Sequence, residues 1–271
     1  MLDAADNKIQ TKGGKTYIMG KIIAFANQKG GVGKTTSAVN VAASLGILGK
    51  KVLLVDLDPQ GNTTSGVGIS KKMLKHTMRD VLTGNMPPEQ AVLKTSFENL
   101  SVLPANISLA GCEFDLYEAE NSEFQIKQLL DPLREQYDYI VIDCPPSLGM
   151  LTVNAMAAAD GVIIPMQCEF YALEGLSQLM ITVSRIKQHY NAALNITGIL
   201  VTMHNSRLLL SIQVINELKK YYADKLFETT ISRNVKLSEA PGFGMPVYYH
   251  DKRSKGADEY LKVAKELIER I

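Results

Sequence analysis

The sequence predicts an α/β protein with a mostly parallel, twisted sheet and helices on both faces. Short unbroken apolar runs, typical of strands buried on both faces, alternate with segments whose apolar residues recur at helical spacing. This alternation implies right-handed crossovers between parallel strands. With 271 residues, 46% of them hydrophobic and 21% charged, the chain has the size and composition of one globular domain of this class.

Each predicted element rests on its own pattern. Apolar runs predict strands at residues 22–27, 52–55, 100–104, 139–143, 161–165, 196–203 and 226–231. Helical spacing predicts helices at residues 38–48, 124–136, 173–186, 212–222 and 257–271. Residues 1–18 are largely polar, and Met19 stands directly before the first strand, so we expect a flexible tail or a misassigned start there. Residues 19–271 are expected to form a single domain.

A glycine-rich segment between the first strand and the first helix predicts a phosphate-binding loop. Glycines let the backbone curl so that successive N–H groups point at one anion, and the following helix adds its positive N-terminal end. Lys34 is placed to reach the β- and γ-phosphates, and the Thr35 hydroxyl to bind Mg²⁺. In the common form of this loop, glycine stands at the position of Gln28, and no lysine stands at the position of Lys29. The predicted nucleotide-binding residues of the loop are Lys29, Gly30, Gly31, Val32, Gly33, Lys34, Thr35 and Thr36.

Carboxylates follow two of the predicted buried strands. Asp56 and Asp58 come directly after the run 52–55, and Asp143 ends the run 139–143. In open α/β sheets, ligands bind at the carboxyl ends of the strands. An apolar run that ends in Asp has the form of a Walker B element, whose carboxylate helps to hold Mg²⁺.

Composition narrows the function classes. The net charge of +1 excludes a strong electrostatic field over the whole protein, so any binding to nucleic acid has to come from a local patch of basic residues. The three cysteines form no C-x-x-C pair, which argues against a disulfide framework or a zinc site. No apolar run approaches the length of a membrane span, and the first 18 residues lack the apolar stretch of a signal peptide. We therefore expect a cytoplasmic protein.

Taken together, the motifs resemble those of the ParA/Soj/MinD family of deviant Walker A ATPases, and most closely its chromosomal ParA (Soj) branch. The resemblance covers roughly residues 21–271. The segments that carry it are KGGVGKT (29–35), DLDPQGN (56–62), DCPPS (143–147), EFYALEG (169–175) and RNVKLSEAP (233–241). It implies a P-loop NTPase fold of the SIMIBI type, with ATP and Mg²⁺ as ligands.

The resemblance also implies an ATP-dependent sandwich dimer. Lys29 matches the signature lysine, which crosses the interface to the phosphates of the partner subunit. Such a cation stabilises both the dimer and the transition-state charge. Asp58 matches the carboxylate that positions the attacking water, while Asp56 and Asp143 support Mg²⁺ together with Thr35. The implied catalytic residues are thus Lys29, Lys34 and Asp58.

DNA and base contacts are expected in the last third of the chain. Arg207 and Arg233 match basic residues implicated in nucleoid binding in the Soj branch, and Lys236 is added on its charge. The segments around 203–207 and 232–234 resemble the base-contacting loops, which suggests Asn205, Ser232 and Asn234 as adenine contacts. Proteins of this branch generally carry proline where Ser232 stands.

The leading hypothesis is a cytoplasmic, nucleoid-associated ATPase that dimerises with ATP and binds DNA non-specifically as the dimer. A ParB-like partner would stimulate hydrolysis during chromosome or plasmid partitioning. One alternative is a MinD-like positioning ATPase that cycles on membranes through its C-terminal helix, although the mixed charge of residues 257–271 favours packing on the domain. The other is an ATP-gated localisation scaffold with negligible turnover. Stable membrane insertion is not expected.

Overall fold

The computed structural model describes residues 9–12 and 15–271, with side chains from residue 19 onward. The strands are β1 (Ile9–Lys12), β2 (Lys15–Ile18), β3 (Lys21–Phe25), β4 (Val52–Asp56), β5 (Leu93–Lys94), β6 (Leu100–Leu103), β7 (Tyr139–Asp143), β8 (Gly161–Gln167) and β9 (Asn195–Thr202). The α-helices are α1 (Lys34–Ile47), α2 (Asn62–Gly66), α3 (Met78–Leu82), α4 (Pro88–Ala91), α5 (Cys112–Glu118), α6 (Gln125–Leu130), α7 (Met150–Ala158), α8 (Ala172–His189), α9 (Leu209–Tyr222), α10 (Val235–Glu239), α11 (Val247–His250) and α12 (Lys255–Arg270).

Seven strands form one sheet in the order β5-β6-β4-β7-β3-β8-β9. All neighbouring pairs are parallel except β5 and β6, which confirms the predicted, mostly parallel sheet. Side chains of a strand alternate between its faces. In β3, Ile22 and Ala24 enter one core layer, and Ile23 and Phe25 enter the other. The sheet is therefore covered on both faces, as its unbroken apolar strands predict.

The C-terminal helix packs on the domain, as its mixed charges favour. The α12 residues Tyr260, Val263 and Leu267 are buried in the same core layer as Val41 and Leu45 of α1. Among the described residues, we find no helix with the length and apolarity needed to cross a bilayer.

Two predicted elements are wrong. The helix expected over residues 124–136 ends at Leu130, and Asp131–Glu135 is a 3₁₀ turn that contains Pro132. Proline removes a backbone donor and clashes with the preceding turn, which explains the break. The strand expected over residues 226–231 is reduced to one isolated bridge, between Leu226 and Ile199. The N–H groups of Glu228 and Thr229 donate to the Glu266 carboxylate of α12 rather than to a strand.

The expectation for residues 1–18 stays a prediction. Residues 1–8 and 13–14 lie outside the described residues, while β1 and β2 pair antiparallel with Ile9 opposite Ile18.

Candidate active site

The glycine-rich loop connects β3 to α1 with a backbone that glycine allows. Gly31 has φ of 74° and Gly33 has φ of 80°, both in the left-handed region that disfavours side chains. Gly33 caps α1 without a side-chain hydrogen bond, and the first turn of α1 contains no acidic residue. The leading N–H groups and the positive end of this helix are therefore available to an anion.

Two side chains from neighbouring strands orient the loop. The Gln167 amide at the end of β8 donates to the Gly31 carbonyl at 2.7 Å, and the Thr202 hydroxyl at the end of β9 donates to the Val32 carbonyl at 2.7 Å. In a planar trans peptide the carbonyl and the next N–H point in opposite directions. The N–H groups of Val32 and Gly33 therefore face away from these anchors, which is the arrangement that a phosphate cradle needs.

The carboxylates predicted from the strand ends lie side by side. Asp56 on β4 is in register with Asp143 on β7, and both are fully buried. The Thr64 hydroxyl donates to Asp56 at 2.6 Å, and the Thr63 hydroxyl donates to Asp143 at 2.7 Å. Both threonines follow the DLDPQGN loop in α2, and Thr35 lies beside the pair as a further hydroxyl.

Electrostatics at this pair favours a cation. Burial, and to a lesser degree the charge of Asp143, raises the pKa of Asp56. Burial likewise raises the pKa of Asp143, although Lys34 opposes the shift. The Oδ1 atom of Asp143 is buried without a hydrogen-bond partner. One or two carboxylates and a hydroxyl, completed by phosphate oxygens and water, are the donors that Mg²⁺ prefers, so these residues fit that ion.

Lys34 and Asp58 complete the inner part of the site. Lys34, at the start of α1, is only 6% exposed, and its charge acts on Asp143. Asp58 is also 6% exposed, and its Oδ1 accepts the N–H of Gln60 at 2.9 Å. Gly61 closes this turn with φ of 63°, where a Cβ atom would approach the Ala105 carbonyl to 2.6 Å. The turn therefore requires glycine to hold Asp58 at the sheet edge.

Lys29 lies apart from the inner group. Its ammonium group forms an ion pair with Glu169 in the segment between β8 and α8, and both side chains are nearly half exposed. Phe170 and Tyr171 beside that glutamate are 75% and 70% exposed. Lys29 is thus held on the outer surface of the loop, next to exposed aromatic rings.

A cavity of about 320 Å³ opens beside the loop, between the end of β9 and the segment before α10. Gly33 and Thr36 line it, as do Ser232 and Asn234, two of the predicted adenine contacts. Asn205 lies outside this lining, is exposed, and accepts the Arg207 N–H through its side chain. The structure therefore brings Ser232 and Asn234 to the phosphate cradle more directly than Asn205.

The predicted DNA contacts differ in their surroundings. Arg207 is exposed. Arg233 is exposed as well, but it also lines the cavity beside the phosphate loop. Lys236 is paired with Glu239 at 2.8 Å, which offsets its charge.

Sequence reasoning missed several residues that shape the site. They are Thr63, Thr64, Gln167 and Thr202. The two adjacent threonines directly follow the loop that contains Asp56 and Asp58, and this position in the sequence could have indicated their role. The others contact the site across long sequence separations, such as 170 residues between Thr202 and Val32, and no local pattern reports such contacts.

Comparisons with known proteins agree with this geometry. The AAA domain family model matches residues 20–196. The sporulation initiation inhibitor protein Soj of Bacillus subtilis is 53% identical over 249 residues, which cover 92% of this chain and 98% of that protein. The chromosome-partitioning ATPase Soj of Treponema pallidum is 47% identical over 252 residues, which cover 93% and 98%.

A solved structure extends the comparison to bound ligands. Cobyrinic acid a,c-diamide synthase of Mycobacterium smegmatis, with bound ATP analogue and magnesium, is 37% identical with a TM-score of 0.80, covering 91% of this chain and 93% of that one. The two folds are therefore similar over most of both chains. By its motifs, its site and its relatives, the chain belongs to the ParA/Soj family of P-loop partitioning ATPases.

Proposed function

We propose that this ATPase dimerises with ATP·Mg²⁺ and binds DNA without sequence specificity as the dimer. A ParB-like partner stimulates its hydrolysis during chromosome or plasmid partitioning, with residues 19–271 acting as one ATPase domain. The observation that carries the proposal is the position of Lys29, outside the phosphate cradle and on an exposed surface, whereas Lys34 lies inside. A second lysine placed outward is suited to a phosphate in another subunit.

The positions of the inner residues support a role for each. Loop N–H groups and Lys34 would bind the phosphates, while Thr35, Asp56 and Asp143 would hold Mg²⁺, which would neutralise charge on the phosphate oxygens. Asp58 orients the attacking water, and Lys29 of the partner stabilises the charge that develops on the transferred group. Hydrolysis is in this way coupled to the presence of a second subunit.

The Lys29–Glu169 ion pair fits this account. Ion pairs between half-exposed side chains contribute only about 0–1 kcal/mol, so Lys29 exchanges Glu169 for a phosphate at little cost. Phe170 and Tyr171 next to it supply apolar surface that a second subunit can cover.

We expect Gly30→Val to separate nucleotide binding from dimerisation. No atom lies within 4 Å of a Cβ placed at Gly30, and its backbone is not left-handed, so the variant folds and binds ATP. In the dimer, the added side chain meets the facing loop, and overpacking costs about 1–3 kcal/mol, roughly 5- to 150-fold in the dimer dissociation constant. Sedimentation with ATP measures the effect.

Gly111→Val is the matched control, because that glycine also has open space and an ordinary φ of −69°. It should dimerise like the wild type. A normal ATP dimer of Gly30→Val would contradict the proposed interface.

DNA binding is tested by titration against salt. Removing one protein–phosphate contact lowers the slope of log affinity against log salt by about 0.9. For a symmetric dimer, Arg207→Ala and Arg233→Ala are each expected to lower the slope by about 1.8. Lys236→Ala should have a smaller effect because Glu239 already offsets its charge. Lys265→Ala, an exposed lysine of α12, is the control.

The same titration with ATP, ADP and no nucleotide tests the switch. Tight DNA binding is expected only with ATP, and equal affinity in all three states would overturn the proposed function. Because Arg233 lines the cavity, nucleotide affinity of Arg233→Ala is measured in parallel to separate a DNA contact from a nucleotide contact.

The alternatives have specific tests. A membrane-cycling ATPase requires the apolar face of α12 on lipid, but that face is buried against α1. Liposome binding that disappears on deletion of residues 257–271 would favour it. A scaffold with negligible turnover predicts that Asp58→Ala hydrolyses ATP no more slowly than the wild type.

A further inference from the structure

A buried glutamate lies behind the cavity beside the phosphate loop. Glu259 of α12 has a side chain only 10% exposed. Its Oε2 accepts the backbone N–H of Ser232 at 2.9 Å, and its Oε1 accepts the Ser232 hydroxyl. Both oxygens of one buried carboxylate thus accept a hydrogen bond from the same residue, Ser232. The Nζ atom of Lys255, at 3.5 Å, partly balances its charge.

The backbone N–H of Ser232 requires a hydrogen-bond acceptor, and the Glu259 carboxylate supplies it. Unlike proline, which has no backbone N–H and a fixed φ, serine places a backbone donor in this partly buried segment and leaves its φ unrestrained. A buried donor without a partner is costly, and an unrestrained segment is free to move. The two hydrogen bonds to Glu259 satisfy the donor and hold the segment.

The segment held by Glu259 is the wall of the cavity. Ser232 and Asn234 line it, and Asn234 then caps α10 by accepting the Lys236 N–H. The residue after Glu259 is Tyr260, whose hydroxyl is 3.0 Å from that of Ser37 in α1. One turn of α12 therefore contacts both the cavity wall and the helix that carries the phosphate loop.

We propose that Glu259 is a positioning residue for nucleotide recognition, which holds residues 232–234 against the adenosine part of ATP. The inference rests on the prediction from the sequence that Ser232 and Asn234 contact adenine, which would place the base in this cavity. Glu259 does not line the cavity, so it acts through Ser232, which does. Its contribution is to the affinity for the nucleoside, and the phosphate cradle is independent of it.

The test is a double-mutant cycle between Ser232 and Glu259, read by equilibrium binding of ATP. Glu259→Gln loses one of the two acceptors and should weaken ATP binding about tenfold, within the range of coupling between contacting residues. Ser232→Pro removes both donors and restrains the segment by itself. In that background Glu259→Gln should therefore have almost no further effect. Inorganic triphosphate should bind equally well to all variants.

Glu266→Gln is a closely matched control. Glu266 also lies on α12 and accepts two backbone N–H groups, those of Glu228 and Thr229, but these residues do not line the cavity. Its ATP affinity should remain that of the wild type. Thermal unfolding without nucleotide confirms that all variants are folded.

The results distinguish a failure of the base-binding assignment from a failure of the positioning role of Glu259. If the wild type binds inorganic triphosphate as tightly as ATP, the cavity does not receive the base and the underlying assignment fails. If the wild type prefers ATP but Glu259→Gln matches Glu266→Gln, or its effect persists in full in the Ser232→Pro background, the positioning role of Glu259 is overturned.

Discussion

Lys29→Ala is expected to bind ATP with nearly wild-type affinity yet remain a monomer, with ATP turnover about a thousandfold lower. The magnitude is that of a cation supplied in trans to a phosphoryl-transfer site. Nucleotide binding survives because Lys34 and the loop N–H groups lie inside the cradle, whereas Lys29 points to Glu169 on the outer surface. Fluorescent nucleotide binding, light scattering with ATP and phosphate release measure the three properties.

Two comparison variants make the result specific. Lys34→Ala removes the buried lysine and should abolish nucleotide binding itself, so it shows the result expected when the phosphate cradle no longer binds ATP. Lys51→Ala removes an exposed lysine outside the loop and should behave like the wild type. If Lys29→Ala dimerised normally with ATP, the outward lysine would have no role between subunits.

Asp58→Ala is expected to slow hydrolysis by about 10²- to 10⁴-fold, which is the range for loss of a general base. ATP binding and dimerisation should persist, because in the proposed site the loop would hold the phosphates, and Asp56 and Asp143 would hold Mg²⁺. The variant should therefore accumulate as an ATP-bound dimer. Single-turnover phosphate release measures the chemistry without the contribution of product dissociation.

Asp58→Asn provides the geometric control for this prediction. Its side-chain oxygen still accepts the Gln60 N–H that Asp58 accepts at 2.9 Å, so the turn is preserved while the carboxylate is lost. It should be as slow as Asp58→Ala. Wild-type turnover in both variants would remove Asp58 from catalysis and favour a scaffold.

Local sequence patterns are sufficient to predict the central strands of the sheet and the glycine-rich loop. Unbroken apolar runs identify β3, β4 and β7 because strands buried on both faces have few other compositions. The adjacency of Asp56 and Asp143 follows from the rule that parallel strands end at one edge, but their direct register depends on the strand order. That order results from crossover connections, which no short pattern encodes.

Contacts between residues far apart in the sequence explain most of the features that local patterns do not predict. Residues 226–231 have a strand-like composition, but α12 takes two of their N–H groups through Glu266, 37–38 residues away. The end of α6 has a local signal, because Pro132 lies in the 3₁₀ turn that follows it and proline disfavours a continued α-helix. Gln167 and Thr202 orient the loop from the ends of β8 and β9, and their roles become evident only when the sheet is assembled.

The central claim, that Lys29 acts on the nucleotide of the other subunit, is tested most directly by mixing Lys29→Ala with Asp58→Ala. In a mixed dimer, the Lys29→Ala subunit keeps its own Asp58 and receives Lys29 from its partner, so one complete site forms. Because Lys29→Ala subunits do not pair with one another, they dimerise only with Asp58→Ala subunits. Hydrolysis should therefore rise well above the sum of the two separate variants, to at most about half of the wild-type rate, since each mixed dimer has one working site of two. Activity no greater than the sum of the two separate variants would show that Lys29 acts within its own subunit.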